Sequence, residues 1–162
     1  MKTVWKDIPD YKGLYEISED GIVRNSNTLR ILTPFKRKNG HSRVSLWYNG
    51  EREMFYVHRL VIYSFSGRSG LICEHIDGDR SNAHISNLRY ISHSNNSAKK
   101  SKPRNKKSSI YKGVCLRGWH AEIKKDYVVY DLGSFKTEKE AALAYDKKAK
   151  ELFGEFANLN FK

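Results

Sequence analysis

The sequence predicts an α+β fold interrupted by a basic linker, and three observations carry that prediction. From Trp5 to about Phe65, short runs rich in Val, Ile, Tyr and Phe are punctuated by DYKG, EDG, KNG and YNG, the pattern of strands joined by turns. From Ser97 to Ser109 the segment SAKKSKPRNKKSS has no acid and almost no apolar residue. Beyond it, three strand-like segments precede one helix-like segment.

The bulk composition bounds the partners. The 162 residues are 39% hydrophobic and 12% aromatic, which suits one or two modest cores and excludes a wholly disordered chain. Thirty Lys and Arg against 18 Asp and Glu leave a formal charge of +12. A polyanion is therefore the expected partner, with nucleic acid ahead of an anionic membrane surface. No long apolar run occurs and MKTVWKDIPDYKG lacks the apolar centre of a signal peptide, so a cytoplasmic location without membrane contact is expected. Cys73 and Cys115 are too few for a disulfide framework or a thiolate zinc cluster, and both are expected to be reduced.

Each element then has a local reason. In RVSLWYNGEREMFYVHRLVIYSF, Asn49 and Gly50 suit a tight hairpin turn that needs positive φ, and Leu60 to Phe65 reads as a short helix. In the linker, Lys99, Lys100, Lys102, Arg104, Lys106 and Lys107 are either a solvated spacer or an arm that tracks phosphates, and the global charge favours the arm. The later strands are placed at Tyr111 to Leu116, Trp119 to Lys124 and Val128 to Leu132. Thr137 and Glu140 form a capping box for the helix, and Gly154 stands at its C-terminal cap. Ala141, Ala144, Tyr145, Ala149 and Leu152 recur at helical spacing, a face that core packing explains fully. Lys125, Lys147, Lys148 and Lys150 read as a solvated face.

The stretch ICEHIDGDRSNAHISNLRYISHSNNS, residues 72–97, is the candidate for chemistry. Cutting a phosphodiester needs a base, a cation that neutralises charge on the phosphorane and leaving oxygen, and ligands for that cation. His75 is the candidate base, Glu74 and Asn96 offer oxygen donors of the kind magnesium prefers, and Asn87 is placed to orient the imidazole. An ordinary polar loop is the competing reading. Asp77 and Asp79 fit a turn better than a direct role. A zinc site from Cys73, His75, His84 and His93 is disfavoured, because no CxxC spacing supports it.

VHRLVIYSF followed by EHIDGDRSNAHISNLRYISHSNN resembles the HNH (His-Me finger) endonucleases of the phage and intron-encoded homing type, over roughly Tyr56 to Asn96. Upstream, Trp5, Ile8, Tyr11, Tyr15, Ile17, Ser18, Gly21 and Val23 are similar to the nuclease-associated modular motif that commonly precedes such a finger. The resemblance implies a ββα-metal finger in which His75 activates water, Asn87 orients it, and Glu74 with Asn96 binds one divalent ion, Mg2+ or Mn2+. Glu74 departs from the Asp or Asn usual there, and Asn82-Ala83 from a usual pair of asparagines. His58 matches a family position, either a buried histidine bonded to a backbone carbonyl or a phosphate contact.

YKGV, RGWHAEI and YDLGSFKTEKEAALAYDKKAKELFGEFANLNF resemble the APETALA-type (ethylene-response-factor) DNA-binding domain. That likeness implies a three-stranded antiparallel sheet on the major groove backed by one packed helix, with Arg117, Trp119, Glu122 and Lys124 facing DNA; for Trp119, core packing is the alternative.

Four segments are expected: a β-rich module at 1–54, the finger at 55–97, the linker at 98–108 and the recognition domain at 109–162. Together they imply a site-specific, metal-dependent homing endonuclease that nicks one strand of double-stranded DNA as a monomer, with no protein partner and, if phage-encoded, in the cytoplasm of a bacterial host. A DNA-binding regulator with a degenerate HNH centre is the alternative from another class, and an RNA-binding protein a weaker third.

Overall fold

In the computed structural model, residues 3–101, 109–116 and 118–161 are described. The fold is mixed α+β, and the chain divides into two compact units, Met1–Ile91 and Ser92–Lys162.

The first unit contains three small antiparallel sheets. Strands β1 (Trp5–Asp7), β2 (Tyr15–Ser18) and β3 (Val23–Asn25) form one, in that order. Strands β4 (Phe35–Lys36), β5 (Ser42–Tyr48) and β6 (Glu51–Tyr56) form another. The β5–β6 hairpin closes with Tyr48 opposite Glu51, and Asn49 and Gly50 take φ of 49° and 81°. That is the two-residue turn expected of Asn-Gly, whose twist matches the strands it joins. The third sheet pairs β7 (Ile72–His75) with β8 (Leu88–Ile91).

Helix α1 (Val57–Ser66) begins directly after β6, three residues before the expected Leu60. Its buried Val57, His58, Leu60, Val61 and Ile62 line one face. The three added residues begin with β-branched Val57, whose strand propensity blurs the boundary with β6, and burial against β2 and β5 overrides it. Ile8, Ile17, Leu46 and Val61 are the largest fully buried side chains of the unit's core. The modular motif becomes intelligible here: Ile8, Tyr11, Ile17 and Val23 fill this core, while the Ser18 hydroxyl accepts a hydrogen bond from the Ile22 N–H at 3.0 Å. Gly21 has φ of 83°, and a Cβ there would lie 2.8 Å from Val57 Cγ1. A side chain at position 21 would push α1 off the sheet.

In the second unit, β9 (Val114–Cys115), β10 (His120–Lys125) and β11 (Val128–Ser134) form an antiparallel sheet in the order β11-β10-β9. Helix α3 (Glu138–Phe153) packs on it, with the Thr137–Glu140 capping box formed on both sides. The expected helix face is broadened by Ala142 and Phe153, which are buried, while Ala144 is half-buried. Buried Asp146 ties down the following chain, accepting hydrogen bonds from the Asn160 N–H (2.9 Å) and the Phe161 N–H (2.9 Å). Lys125 is not part of a solvated face: its ammonium donates to the Leu152 carbonyl at 2.6 Å, at the negative end of α3.

Helix α2 (His93–Ala98) is N-capped by Ser92, whose hydroxyl accepts from the Asn95 N–H at 3.1 Å. The sequence places this segment with the finger, yet in the structure it clusters with the second unit. Three contacts account for that. Ser94 bonds Asp126 at 2.6 Å, the Lys112 ammonium reaches the Ala98 and Lys100 carbonyls, and Ala98 packs in the cluster around Ile123 and Tyr145.

Candidate active site

His75 ends β7 and is 8% exposed. Pairing with β8 sets Glu74 opposite Arg89 and His75 opposite Leu88. Around His75 the backbone is fixed on both sides, by the Ile76 N–H to the Asn87 carbonyl (2.8 Å) and by the Gly78 N–H to the His75 carbonyl (3.2 Å). Its Nε2 is buried and has no hydrogen-bond partner among the described residues. Burial lowers the His75 pKa; Asp77, Asp79 and Glu74 oppose this, and Arg80 adds to the lowering. The imidazole is therefore neutral at physiological pH, the form a general base requires.

Asn87 is buried in the 3₁₀ turn Ile85–Asn87 that leads into β8. Its carboxamide does not bond His75. Oδ1 accepts from the Asp77 N–H at 3.0 Å, and Nδ2 donates to Asp77 Oδ1 at 2.9 Å and to the Asn82 carbonyl at 3.0 Å. Asn87 thus clamps the 77–82 loop that follows His75. Asp77 and Asp79 act as turn-formers within it: Asp77 Oδ1 accepts from the Asp79 N–H at 2.8 Å, and Asp79 Oδ1 from the Ser81 N–H at 2.9 Å. Hydrogen bonds from Asn82 and Asn87 hold the Asp77 carboxyl below the usual carboxylate range.

The Glu74 carboxylate lies 2.9 Å from Arg89 Nε. It is a hard oxygen donor next in sequence to His75, so its chemistry fits a divalent cation such as magnesium. Asn96 is half-buried on α2, in the second unit, so its assignment as a ligand rests on the sequence pattern.

Sequence reasoning missed His41. It stands just before β5, with its ring centroid 4.6 Å from that of His58 and 5.4 Å from that of His75; His58 and His75 are 4.8 Å apart. Nothing in the local sequence KNGHSRV marks His41, since only tertiary packing brings it to the other two. His58 sits in the first turn of α1, and burial reinforced by His41 and His75 pushes its pKa down to about 3. Burial, then His75, lowers that of His41. The position of His58 is set by these rings and by Tyr56, 5.6 Å away.

Of the residues expected to face DNA, Glu122 and Lys124 are on the exposed face of β10, alternating with buried Ala121 and Ile123. For Trp119 the packing fits the core alternative. This residue lies in the turn before β10 with φ of 46°, half-buried, and packs against the cluster of Val114, Ala121, Ala141 and Ala142. Its place two residues before Ala121 and four before Ile123 puts it in register with the buried side of β10. Lys99 and Lys100 follow α2, and their carbonyls accept hydrogen bonds from Asn158 Nδ2 (3.2 Å) and from the Lys112 ammonium (2.8 Å). Arg117, Lys102, Arg104, Lys106 and Lys107 lie outside the described residues.

Residues 55–98, which include His75 and its strand pair, match the model of the HNH endonuclease family, and residues 4–47 match the NUMOD4 motif. A relative from Acanthamoeba polyphaga mimivirus, the uncharacterized HNH endonuclease L560, is 35% identical over 134 residues, which is 80% of this chain and 69% of that protein. The chain belongs to the HNH endonuclease family. It is also 36% identical to the DNA endonuclease I-HmuI of Bacillus phage SP01 over 89 residues, 54% of this chain and 51% of that one. A solved structure concerning DNA binding and cleavage by the HNH homing endonuclease I-HmuI superposes with a TM-score of 0.55 at 35% identity, covering 58% of this chain and 55% of that one. The chain thus spans about half the length of I-HmuI. Among the described residues, no helix is long and apolar enough to cross a membrane.

Proposed function

We propose that this HNH protein is a DNA endonuclease of the homing type that hydrolyses phosphodiester bonds in double-stranded DNA, nicking one strand per active centre. The observation that carries the reading is a buried His75 whose Nε2 has no partner among the described residues, next in sequence to Glu74 in the family-matched segment, with burial favouring its neutral form. His75 takes the proton from the attacking water. Its strand pairing with β8 and the Asn87-clamped loop hold the ring so that little orientation is lost when substrate arrives. Asn87 is a positioning residue on this reading. Glu74 would hold a divalent ion, Mg2+ or Mn2+, which supplies charge neutralisation on the phosphorane and leaving oxygen.

The second unit is read as an APETALA-type DNA-binding domain, supported by its three antiparallel strands backed by α3 and by exposed Lys124 on β10. Tethering two DNA-binding modules raises the effective concentration of the second, so a monomer is sufficient for an extended target. The pairing of Glu74 with Arg89 favours one further reading, a DNA-binding regulator whose carboxylate is committed to arginine rather than to a cation.

A supercoiled-plasmid assay separates the two. Wild type and His75→Ala are compared with Mg2+, Mn2+ or chelator on DNA from candidate phage host genes. Metal-dependent nicking that falls by roughly 10²-fold or more in the variant, as loss of a general base predicts, supports the endonuclease. Tight binding with no nicking in either metal supports the regulator.

A further inference from the structure

We propose that His41, His58 and His75 form a second cation site, selective for a transition metal such as Zn2+, whose occupation withdraws His75 from its role as base. The site joins three stretches of the first unit: the residue before β5, the first turn of α1 and the end of β7. One ring nitrogen from each histidine lies within 4.8 Å of those of the other two. Two of the rings carry buried nitrogens with no hydrogen-bond partner among the described residues, Nδ1 of His41 and Nε2 of His75. His58 and His75 are 7% and 8% exposed.

Unpartnered buried nitrogens are costly unless something binds them. Neither a shared proton nor plain apolar packing accounts for the cluster as well as a metal does. The group itself holds no carboxylate, and although Asp77, Asp79 and Glu74 favour a proton on His75 from outside it, burial outweighs them and disfavours one on all three rings. Apolar packing alone leaves those nitrogen lone pairs unused.

The donor set also selects the metal. Three imidazoles with one position open is a recurring zinc arrangement, and nitrogen donors favour Zn2+, Co2+, Ni2+ or Cu2+ over the oxygen-seeking Mg2+ and Mn2+. Tetrahedral Zn–N bonds of about 2.0–2.1 Å place nitrogens about 3.3 Å apart, so binding would draw the three nitrogens together from a spacing of up to 4.8 Å. Coordination uses the lone pair with which His75 would take a proton from water. The consequence for cleavage rests on the proposed function above: zinc inhibits, and adding magnesium does not relieve it.

The test uses the full chain and two metals as probes. Co2+ is titrated in first, with visible d–d absorption as the readout, then displaced by Zn2+ and challenged with excess Mg2+. One equivalent of Co2+ with four- or five-coordinate bands, displaced by Zn2+ and not by Mg2+, is expected. In wild type, Zn2+ should shift the imidazole nitrogen resonances of His41, His58 and His75 and leave those of His84, His93 and His120 in place. This arm needs no variant to fold.

His41→Asn should weaken Co2+ binding by at least about tenfold, since it removes one of three ligands. Six-coordinate bands, displacement by Mg2+, or shifts confined to His84, His93 or His120 overturn the site. In the plasmid assay, saturating Zn2+ should cut Mg2+-supported nicking by roughly 10²-fold, the scale of a lost general base. Zn2+ bound at the three histidines without loss of nicking overturns the switch. Zn2+ bound there in a protein that never nicks leaves the site standing and removes the endonuclease reading instead.

Discussion

Asn87→Asp distinguishes a clamp from a direct partner of the base. In the structure the carboxamide makes three hydrogen bonds, one accepted from the Asp77 N–H and two donated to Asp77 Oδ1 and the Asn82 carbonyl. Each is worth about 0.5–1.5 kcal/mol net, so Asn87→Ala should destabilise the first unit by roughly 2–4 kcal/mol. Asn87→Asp keeps the acceptor and the shape but replaces both donated bonds with a second carboxylate facing Asp77. Two such groups at hydrogen-bond distance do not both ionise readily, so the folded pair has a raised pKa. The penalty is therefore present at neutral pH and shrinks as pH falls into the carboxylate range. Displacing the loop after His75 by on the order of 1 Å should also lower nicking by about 10²-fold. The assay is urea unfolding of wild type and both variants between pH 5 and 7.5, with nicking measured in parallel. If Asn87 instead orients the imidazole directly, a carboxylate serves as well as an amide. Asn87→Asp with wild-type stability, no narrowing at pH 5 and full nicking would refute the clamp.

Four more outcomes follow from the local surroundings of named residues. His58, held down to about 3 against an ordinary value near 6.5, refuses a proton that the unfolded chain accepts; stability is full above pH 6.5 and falls as pH drops toward 3, by about 1.4 kcal/mol per pH unit from this residue alone. Urea midpoints against pH should show that slope, and a His58→Asn protein with an unaltered slope would rule His58 out as its source. Gly113→Ala drives a Cβ into the Tyr145 ring at φ of 75°; it should cost on the order of 3 kcal/mol or more. Gly50→Ala, with open space around it at φ of 81°, should cost about 1–2 kcal/mol, and equal melting shifts for the two would contradict a packing origin. Glu74→Gln should raise the Mg2+ concentration for half-maximal nicking at least about tenfold. An unchanged metal dependence removes Glu74 from the ligand set.

Features that depend on neighbours along the chain were legible in the sequence. Asn49-Gly50 specified its turn, Thr137 and Glu140 their capping box, and the alternation in HAEIKK the buried and exposed faces of β10. The spacing of EHIDG and the later asparagines singled out the strand end that holds His75. Tertiary structure decided the rest. Helix α1 starts at Val57 because burial on the sheets outweighs the strand preference of its β-branched residues. Asn87 turns to Asp77 because the loop returns to it, and Trp119 packs on the cluster of Val114, Ala121, Ala141 and Ala142 that α3 and the sheet build together. The convergence of His41 with His58 and His75 had no local signal at all. Turns and caps are settled by energies within a few residues, whereas the meeting of three imidazoles depends on which sheets and helix pack together, and no short stretch of chain encodes that.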